Sequence, residues 1–188
     1  RVTANVTGMG NLTLPDTAGS LEVVSAGTAN GAMSLSASGP LTLTSVSSSQ
    51  NLTVSSPGNL LVGSVSSAGP ILLQSGGSIT ESTDDPEADV TTPSTLTLAA
   101  ATGIALEMDC ATVVASVSGT GNIDLTDTAG TLLSVNATST ANGSITIQAQ
   151  SGAIRANSVQ AAGAGSDVAL TASAGDVRID RVQAAGSV

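Results

Sequence analysis

The strongest constraint on the fold is a short pattern of two apolar residues separated by one other residue, which recurs along the chain. In the stretch 39–65, GPLTLTSVSSSQNLTVSSPGNLLVGSV, the pairs are Leu41 with Leu43, Leu52 with Val54, and Leu60 with Val62. Side chains of a strand point alternately to opposite faces, so each pair buries one face of a very short strand. Strands this short are not stable alone. The units are therefore expected to stack on one another.

The same pattern continues over nearly the whole sequence at regular intervals. Its other pairs are Leu12 and Leu14, Leu21 and Val23, Met33 and Leu35, Ile71 and Leu73, Leu96 and Leu98, Ile104 and Leu106, Ile123 and Leu125, Ile145 and Ile147, Val168 and Leu170, and Val177 and Ile179. A longer interval, as from Leu41 to Leu52, alternates with a shorter one, as from Leu52 to Leu60. Two pairs therefore make one unit, and its period of about 20 residues is typical of solenoids.

Each unit predicts three strand segments, because a lone valine, Val46 or Val65, follows the first pair of each turn. The sequence therefore predicts an all-β fold, a parallel β-helix with triangular coils of about 19–20 residues. The preference of parallel crossovers for one hand makes a right-handed coil the expectation. The composition fits a narrow interior, because the chain has no Phe, Tyr or Trp, the residues that fill most globular cores.

A longer repeat is superimposed on the short one. The segment 6–19, VTGMGNLTLPDTAG, matches the segment 117–130, VSGTGNIDLTDTAG. We therefore expect a single β-helix over 1–188 with a first block of coils (1–80), an acidic loop (81–94), a linking coil (95–112) and a second, incomplete copy of the block (113–188).

The acidic loop is the one segment that loses the alternation. It concentrates Glu81, Asp84, Asp85, Glu87 and Asp89 and contains two prolines. Proline cannot donate a ladder hydrogen bond, so a bulge from the stack is expected. Carboxylate oxygens suit calcium, which makes Asp84, Asp85, Glu87 and Asp89 the candidate metal ligands. A solvated acidic loop without an ion is the alternative.

The charged residues argue against several functions. With 14 acidic residues, four basic residues and a net charge of -10, the chain is not expected to bind nucleic acid or anionic membranes, and no apolar run predicts membrane insertion. It has no His or Lys to act as a general base, and Asp84 and Asp85 lie in the irregular loop, so we expect no enzyme activity and no cofactor. Cys110 lies two positions after inward Met108 and is expected to be buried, with intermolecular cross-linking as the alternative.

The chain resembles the right-handed parallel β-helices of filamentous haemagglutinin-type adhesins and related bacterial surface proteins. The resemblance is carried by phrases such as 165–188, GSDVALTASAGDVRIDRVQAAGSV, and by the stretch 39–65 quoted above. It implies a structural shaft segment of a secreted, extracellular fibre on the cell surface that serves attachment, cell contact or a biofilm matrix. A calcium-dependent binding module that uses the acidic loop is the alternative function.

The two ends of the sequence carry no helix, proline cluster or charge block of the kind that caps a β-stack. A parallel stack exposes unpaired backbone groups at its ends, which invites pairing with another strand. We therefore expect the partner of this chain to be itself, through end-to-end stacking, or the continuation of a longer chain.

Overall fold

The computed structural model describes all residues from Arg1 to Val188 as a stack of β-strands, with no helix and about 60% of the residues in strands. The strands are β1 (Val2–Val6), β2 (Leu12–Pro15), β3 (Leu21–Thr28), β4 (Met33–Ser36), β5 (Leu41–Ser48), β6 (Leu52–Ser56), β7 (Leu60–Ser67), β8 (Ile71–Ser75), β9 (Ile79–Glu81), β10 (Val90–Ala100), β11 (Ile104–Val117), β12 (Ile123–Asp127), β13 (Leu132–Ser139), β14 (Ile145–Ala149), β15 (Ala153–Ala161), β16 (Val168–Ala172), β17 (Val177–Ile179) and β18 (Val182–Ala184). No helix is present that could span a membrane.

The strands pair in parallel from one coil to the next, and the coils make a β-solenoid of about nine turns. This confirms the predicted parallel β-helix. The right-handed sense of the coil stays a prediction of the sequence.

The strand register divides each coil into three faces, which we call A, B and C. Face A stacks Leu21, Leu41, Leu60, Ile79, Ile104, Ile123, Ile145 and Val168 in one column. Face B stacks Ala26, Val46, Val65, Val90 and Met108. Face C stacks Leu12, Met33, Leu52, Ile71, Leu96, Val113 and Val135. The residues named in each column are apolar, so the stacked coils share one apolar interior, and the face B column continues from Met108 to Asp127.

Corners between faces arise where the inward and outward alternation slips by one position. In β5 the inward residues are Leu41 and Leu43 and then Val46, while both Thr44 and Ser45 are exposed. Two successive outward residues require the chain to turn, so one continuous strand covers faces A and B. The lone valine predicted as a third segment is thus the far arm of a bent strand.

The coil length changes along the rod. Leu41 pairs with Leu60, which is the short unit predicted for the first block. The coil from Ile79 to Ile104 is longer because it contains the acidic loop, and the coil from Ile145 to Val168 is also longer than the predicted unit. The second block therefore has longer turns than expected, and the mean spacing between stacked coils is about 21 residues.

A single core of 41 buried aliphatic side chains and other apolar residues runs through the stack. Hydroxyl side chains line its corners, where they bind carbonyl groups of the turns. Ser56 Oγ donates to Gly39 O and Ser75 Oγ donates to Gly58 O, each at 2.7 Å. Buried backbone acceptors must be paired, so these inward serines stabilise the turns.

The two copies of the sequence repeat lie on different faces of the rod. Leu12 belongs to face C, whereas its counterpart Ile123 belongs to face A. The stacked residues of face C run from Leu12 to Val113. Ile123 comes after Val113 in the chain and lies on the next face, face A. Equivalent turns of the two copies therefore do not line up along the molecule.

The acidic excursion is shorter than the 81–94 expected from the sequence. Strand β9 ends at Glu81 and strand β10 begins at Val90, so the loop comprises residues 82–89. Residues 90–94 are strand, in contrast to the prediction. Pro93 is tolerated because the ladder between β10 and β11 skips from Thr92 to Thr95, so no hydrogen bond is needed there.

Candidate functional site

Three carboxylates converge at the base of the acidic loop. Glu81 ends β9, Asp89 precedes β10, and Glu107 lies in β11 one coil further on. Their closest carboxylate oxygens all lie within 4.8 Å of one another. We call this group the acid cluster.

The β-ladder fixes the position of the acid cluster. The backbone N–H of Asp89 donates to Glu107 O at 3.0 Å, and Asp89 O accepts from Val65 N at 2.7 Å. The N–H of Glu107 donates to Asp89 Oδ2 at 3.1 Å. Because Leu106 and Met108 both point into the core, Glu107 between them must point out, toward the loop.

The oxygens of the acid cluster are poorly compensated. Asp89 is only 8% exposed, and the Oε2 atoms of Glu81 and Glu107 are buried without a hydrogen-bond partner. An oxygen-to-oxygen contact becomes a hydrogen bond only when one carboxyl group is protonated. A hydrogen bond between the side chains of Glu81 and Glu107 is the main cause that raises the pKa of Glu81 to about 7. Burial and repulsion from Glu107, Asp84 and Asp85 raise it further.

Burial raises the pKa of Asp89 to about 6, since the charged form loses its hydration. The hydrogen bond from the Glu107 N–H opposes this rise, while the charges of Glu81 and Asp85 add to it. The cluster therefore holds negative charge that neither solvent nor a cationic side chain fully balances.

Of the four residues predicted as metal ligands, only Asp89 belongs to the acid cluster. Asp84, Asp85 and Glu87 lie on the exposed part of the loop, where Asp85 Oδ1 accepts a hydrogen bond from the Glu87 N–H at 3.1 Å. Sequence reasoning placed Glu81 in the acidic stretch but did not select it, and it missed Glu107. The sequence feature that could have identified Glu107 is a single acidic residue between two inward apolar residues, one coil beyond the loop.

A second buried carboxylate lies inside the rod, away from the acid cluster. Asp127 follows Met108 in the inward column and is completely buried, and neither carboxylate oxygen has a hydrogen-bond partner. Burial raises its pKa to about 6, opposed by the nearby N–H groups of Ala129 and Cys110 and increased by the charge of Asp109. A neutral, protonated carboxyl group is the form that suits such a site.

Cys110 lies beside Asp127 in the interior. It is 1% exposed, as the sequence predicted, and its thiol contacts Met108 Sδ at 3.8 Å. Burial, reinforced by the charges of Asp127 and Asp109, raises the pKa of the thiol to about 12. The thiolate is the nucleophilic form, so this cysteine is unreactive at neutral pH.

Comparisons with models of known protein families, with curated proteins and with solved structures found no match to this chain. The solenoid fold is nevertheless of the kind that the sequence pattern predicted. A relation to filamentous haemagglutinin-type shafts in particular stays a prediction of the sequence.

Proposed function

We propose that this chain is a structural shaft segment of a secreted fibre or adhesin on the cell surface, serving attachment, cell contact or a biofilm matrix. The observation that carries the proposal is the uninterrupted column of face A, which runs in register from Leu21 to Val168. Such a column gives length and stiffness with small, repeated units.

Backbone hydrogen bonds of a parallel ladder point along the axis of the solenoid, and neighbouring coils lie about 4.8 Å apart. With about nine turns, the segment forms a rod of about 43 Å. Tension along the rod loads many ladder bonds together with the aliphatic core. This supports a mechanical role.

The terminal coils favour extension of the rod. Strands β17 and β18 pair on one side only, with β15, and Val177 and Ile179 are 38% and 54% exposed. Unpaired strand edges beside apolar side chains accept another strand. We propose that further coils, from the same chain or from a second copy, continue the ladder there.

The surface location is tested by immunogold electron microscopy of the source cells with antibodies against this chain. We expect gold particles along fibres outside the cell that are longer than about 43 Å, the length of the described rod. Gold confined to the cell interior would overturn the proposal.

End-to-end stacking is tested with the variant Ile179→Lys. A charge on the exposed apolar end should weaken assembly, because burying an unpaired charge is unfavourable. Sedimentation velocity of the purified chain should show smaller assemblies than for the wild type. Leu61→Lys, at a side-facing residue that is 37% exposed, is the matched control and should leave assembly unchanged. Equal assembly of the Ile179→Lys variant and the wild type would exclude stacking through this end.

The alternative function is a calcium-dependent binding module that presents the acidic loop. The favouring observation is the convergence of carboxylates at the base of that loop. If the exposed loop carboxylates bind calcium, the double variant Asp84→Ala with Asp85→Ala should lose any calcium-dependent rise in melting temperature. Retention of the rise would exclude ligands at those two positions.

A further inference from the structure

We propose that a second copy of this chain docks head to tail on the C-terminal end of the rod, where its strand β1 continues the strand that Val188 begins. This inference rests on the extension of the rod proposed above. It adds the partner, the two ends that meet and the register in which they meet.

Val188 occupies the first position of a new strand on face A. The Val168 N–H donates to Ser187 O at 2.9 Å. One coil earlier, the Ile145 N–H donates in the same way to Asp167 O, the residue before Val168. Val188 therefore lies above Val168 in the face A column, and its side chain is 75% exposed.

Beyond Val188 this new strand is an open groove. Strand β16 pairs with β14 along one edge, and its other edge is free after Val168. A groove of about 510 Å³ lies at this end of the rod, and its apolar lining includes Val168, Leu170, Val177, Ile179 and Val188. Leu170 is only half-buried, whereas Ile147 below it is fully buried. The missing strand must therefore place an apolar side chain above Leu170, two positions after Val188.

The first residues of the chain meet this requirement. Ala4 belongs to the inward column that runs through face B and ends at Ala172. When Ala4 of a second copy lies above Ala172, Val2 lies above Leu170. Arg1 then follows Val188 directly. Val188 and the first four residues of the second copy thus cover β16 without a gap or an insertion.

Strand β1 matches the C-terminal end better than it matches its own neighbour β3. Val2 and Ala4 are two positions apart, but their partners Val23 and Ala26 are three apart, so the register of this ladder shifts after Val2. The corresponding residues of β16 are two positions apart, and β14 and β16 pair without a shift. The spacing within β1 is therefore that of the C-terminal coils, which is an observation independent of the groove.

Face C closes in the same arrangement. The inward column of Leu12 ends at Ile179, and that of Leu14 ends at Val182. Leu12 and Leu14 of the second copy would therefore bury the exposed apolar side chains at this end. Leu21 of the second copy follows Val188 by 21 positions, which equals the mean spacing of about 21 residues between stacked coils. The junction is one coil of ordinary length.

The contact joins two different ends of the chain, so it is heterologous. Each added copy leaves one N-terminal end and one C-terminal end free. Copies can therefore add repeatedly, and the product is a filament with a continuous parallel ladder.

The register is tested by disulfide cross-linking between two variants of the full chain, Thr3→Cys and Thr171→Cys. Both threonines are exposed, and the proposed register places Thr3 of one copy directly above Thr171 of the other. Stacked residues have Cα atoms about 4.8 Å apart, a distance that a disulfide can bridge. An equal mixture of the two variants, treated with a mild oxidant, should give a cross-linked dimer on a non-reducing gel.

The matched control replaces Thr171→Cys with Ala169→Cys, an exposed position two residues earlier on the same strand. Its Cα atom would lie about 8 Å from that of Thr3, too far for a disulfide, so the cross-link should be lost. Wild-type Cys110 is buried and gives no background. The proposal is overturned if Thr171→Cys cross-links to Thr3→Cys no better than Ala169→Cys does, or if Thr3→Cys alone cross-links to itself equally well.

A fusion of two copies tests the same junction without a cysteine. Joining Val188 directly to Arg1 should give one rod that melts at a higher temperature than the single chain. Inserting one serine at the junction reverses which side chains of β1 face the core, so this fusion should melt lower than the direct one. Circular dichroism measures both, and equal melting temperatures of the two fusions would overturn the proposed register.

These outcomes are separate from the test of the shaft function. Loss of the specific cross-link together with gold-labelled fibres outside the cell would exclude this junction and leave the shaft proposal in place. A specific cross-link together with gold confined to the cell interior would support the junction and overturn the shaft.

Discussion

Asp127 is one buried residue that contributes to the pH dependence of the stability of the rod. Its pKa in the folded chain is about 6, above the ordinary 3.8, so the folded state binds the proton more tightly than the unfolded chain. The stabilisation is fully present below about pH 4 and is lost as the pH rises through about 6. This rise in the pKa of Asp127, from 3.8 to about 6, corresponds to a contribution of at most about 3 kcal/mol to the free energy of unfolding.

We therefore predict that Asp127→Asn reduces the pH dependence of stability. The free energy of unfolding, measured in urea at pH 4, 5, 6 and 7, should fall with rising pH more steeply in the wild type than in the variant. Comparing the two chains removes the contributions of other carboxyl groups. A difference between them that stays constant from pH 4 to pH 7 would contradict this assignment.

At the scale of the strand, the inward residues stabilise the fold and the outward residues tolerate change. Leu60 and Leu61 are neighbours in β7, yet Leu60 is fully buried and Leu61 is 37% exposed. Leu60 lies in the face A column between Leu41 and Ile79, so its removal leaves a cavity between three coils.

The pair gives a matched test of the strand alternation. Leu60→Ala should lower the free energy of unfolding by about 2–5 kcal/mol. Leu61→Ala should change it by no more than about 0.5 kcal/mol. Chemical denaturation followed by circular dichroism measures both. Equal effects would mean that the strand does not present alternate faces to core and solvent.

The strands were predictable from the sequence because period-2 alternation marks an inward face directly. The corners were not, because the slip at Thr44 and Ser45 resembles a gap between two separate strands. The inward serines were not predicted either, because nothing in the sequence distinguishes Ser75 from an exposed serine of a turn. Its role becomes apparent only when the carbonyl group of Gly58 from the preceding coil lies 2.7 Å away.

At the scale of the whole molecule, the rod should tolerate the loss of one entire coil. Deleting the segment 41–59 removes one full turn and leaves Leu60 in the position of Leu41, so every face keeps its register. We expect this chain to fold into a rod that is shorter by about 4.8 Å. Small-angle scattering measures the length, and circular dichroism measures the strand content.

The control is a deletion of the segment 41–50, which removes the bent strand β5 and leaves the following straight strand β6. Each later strand would then stack on a strand that belongs to a different face, so the chain should be clearly less stable than the wild type. If both deletions fold equally well, coil register does not govern the stability of the rod.

The sequence by itself determined the strands, the inward columns and the stacking of coils, because alternation and repeat length are local properties of the chain. Tertiary structure alone decided which face each strand occupies, since that depends on the summed length of every preceding coil. For this reason the two sequence repeats lie on different faces. For the same reason Glu107 joins Glu81 and Asp89: the long coil that contains the loop, from Ile79 to Ile104, brings a distant carboxylate into register with its base.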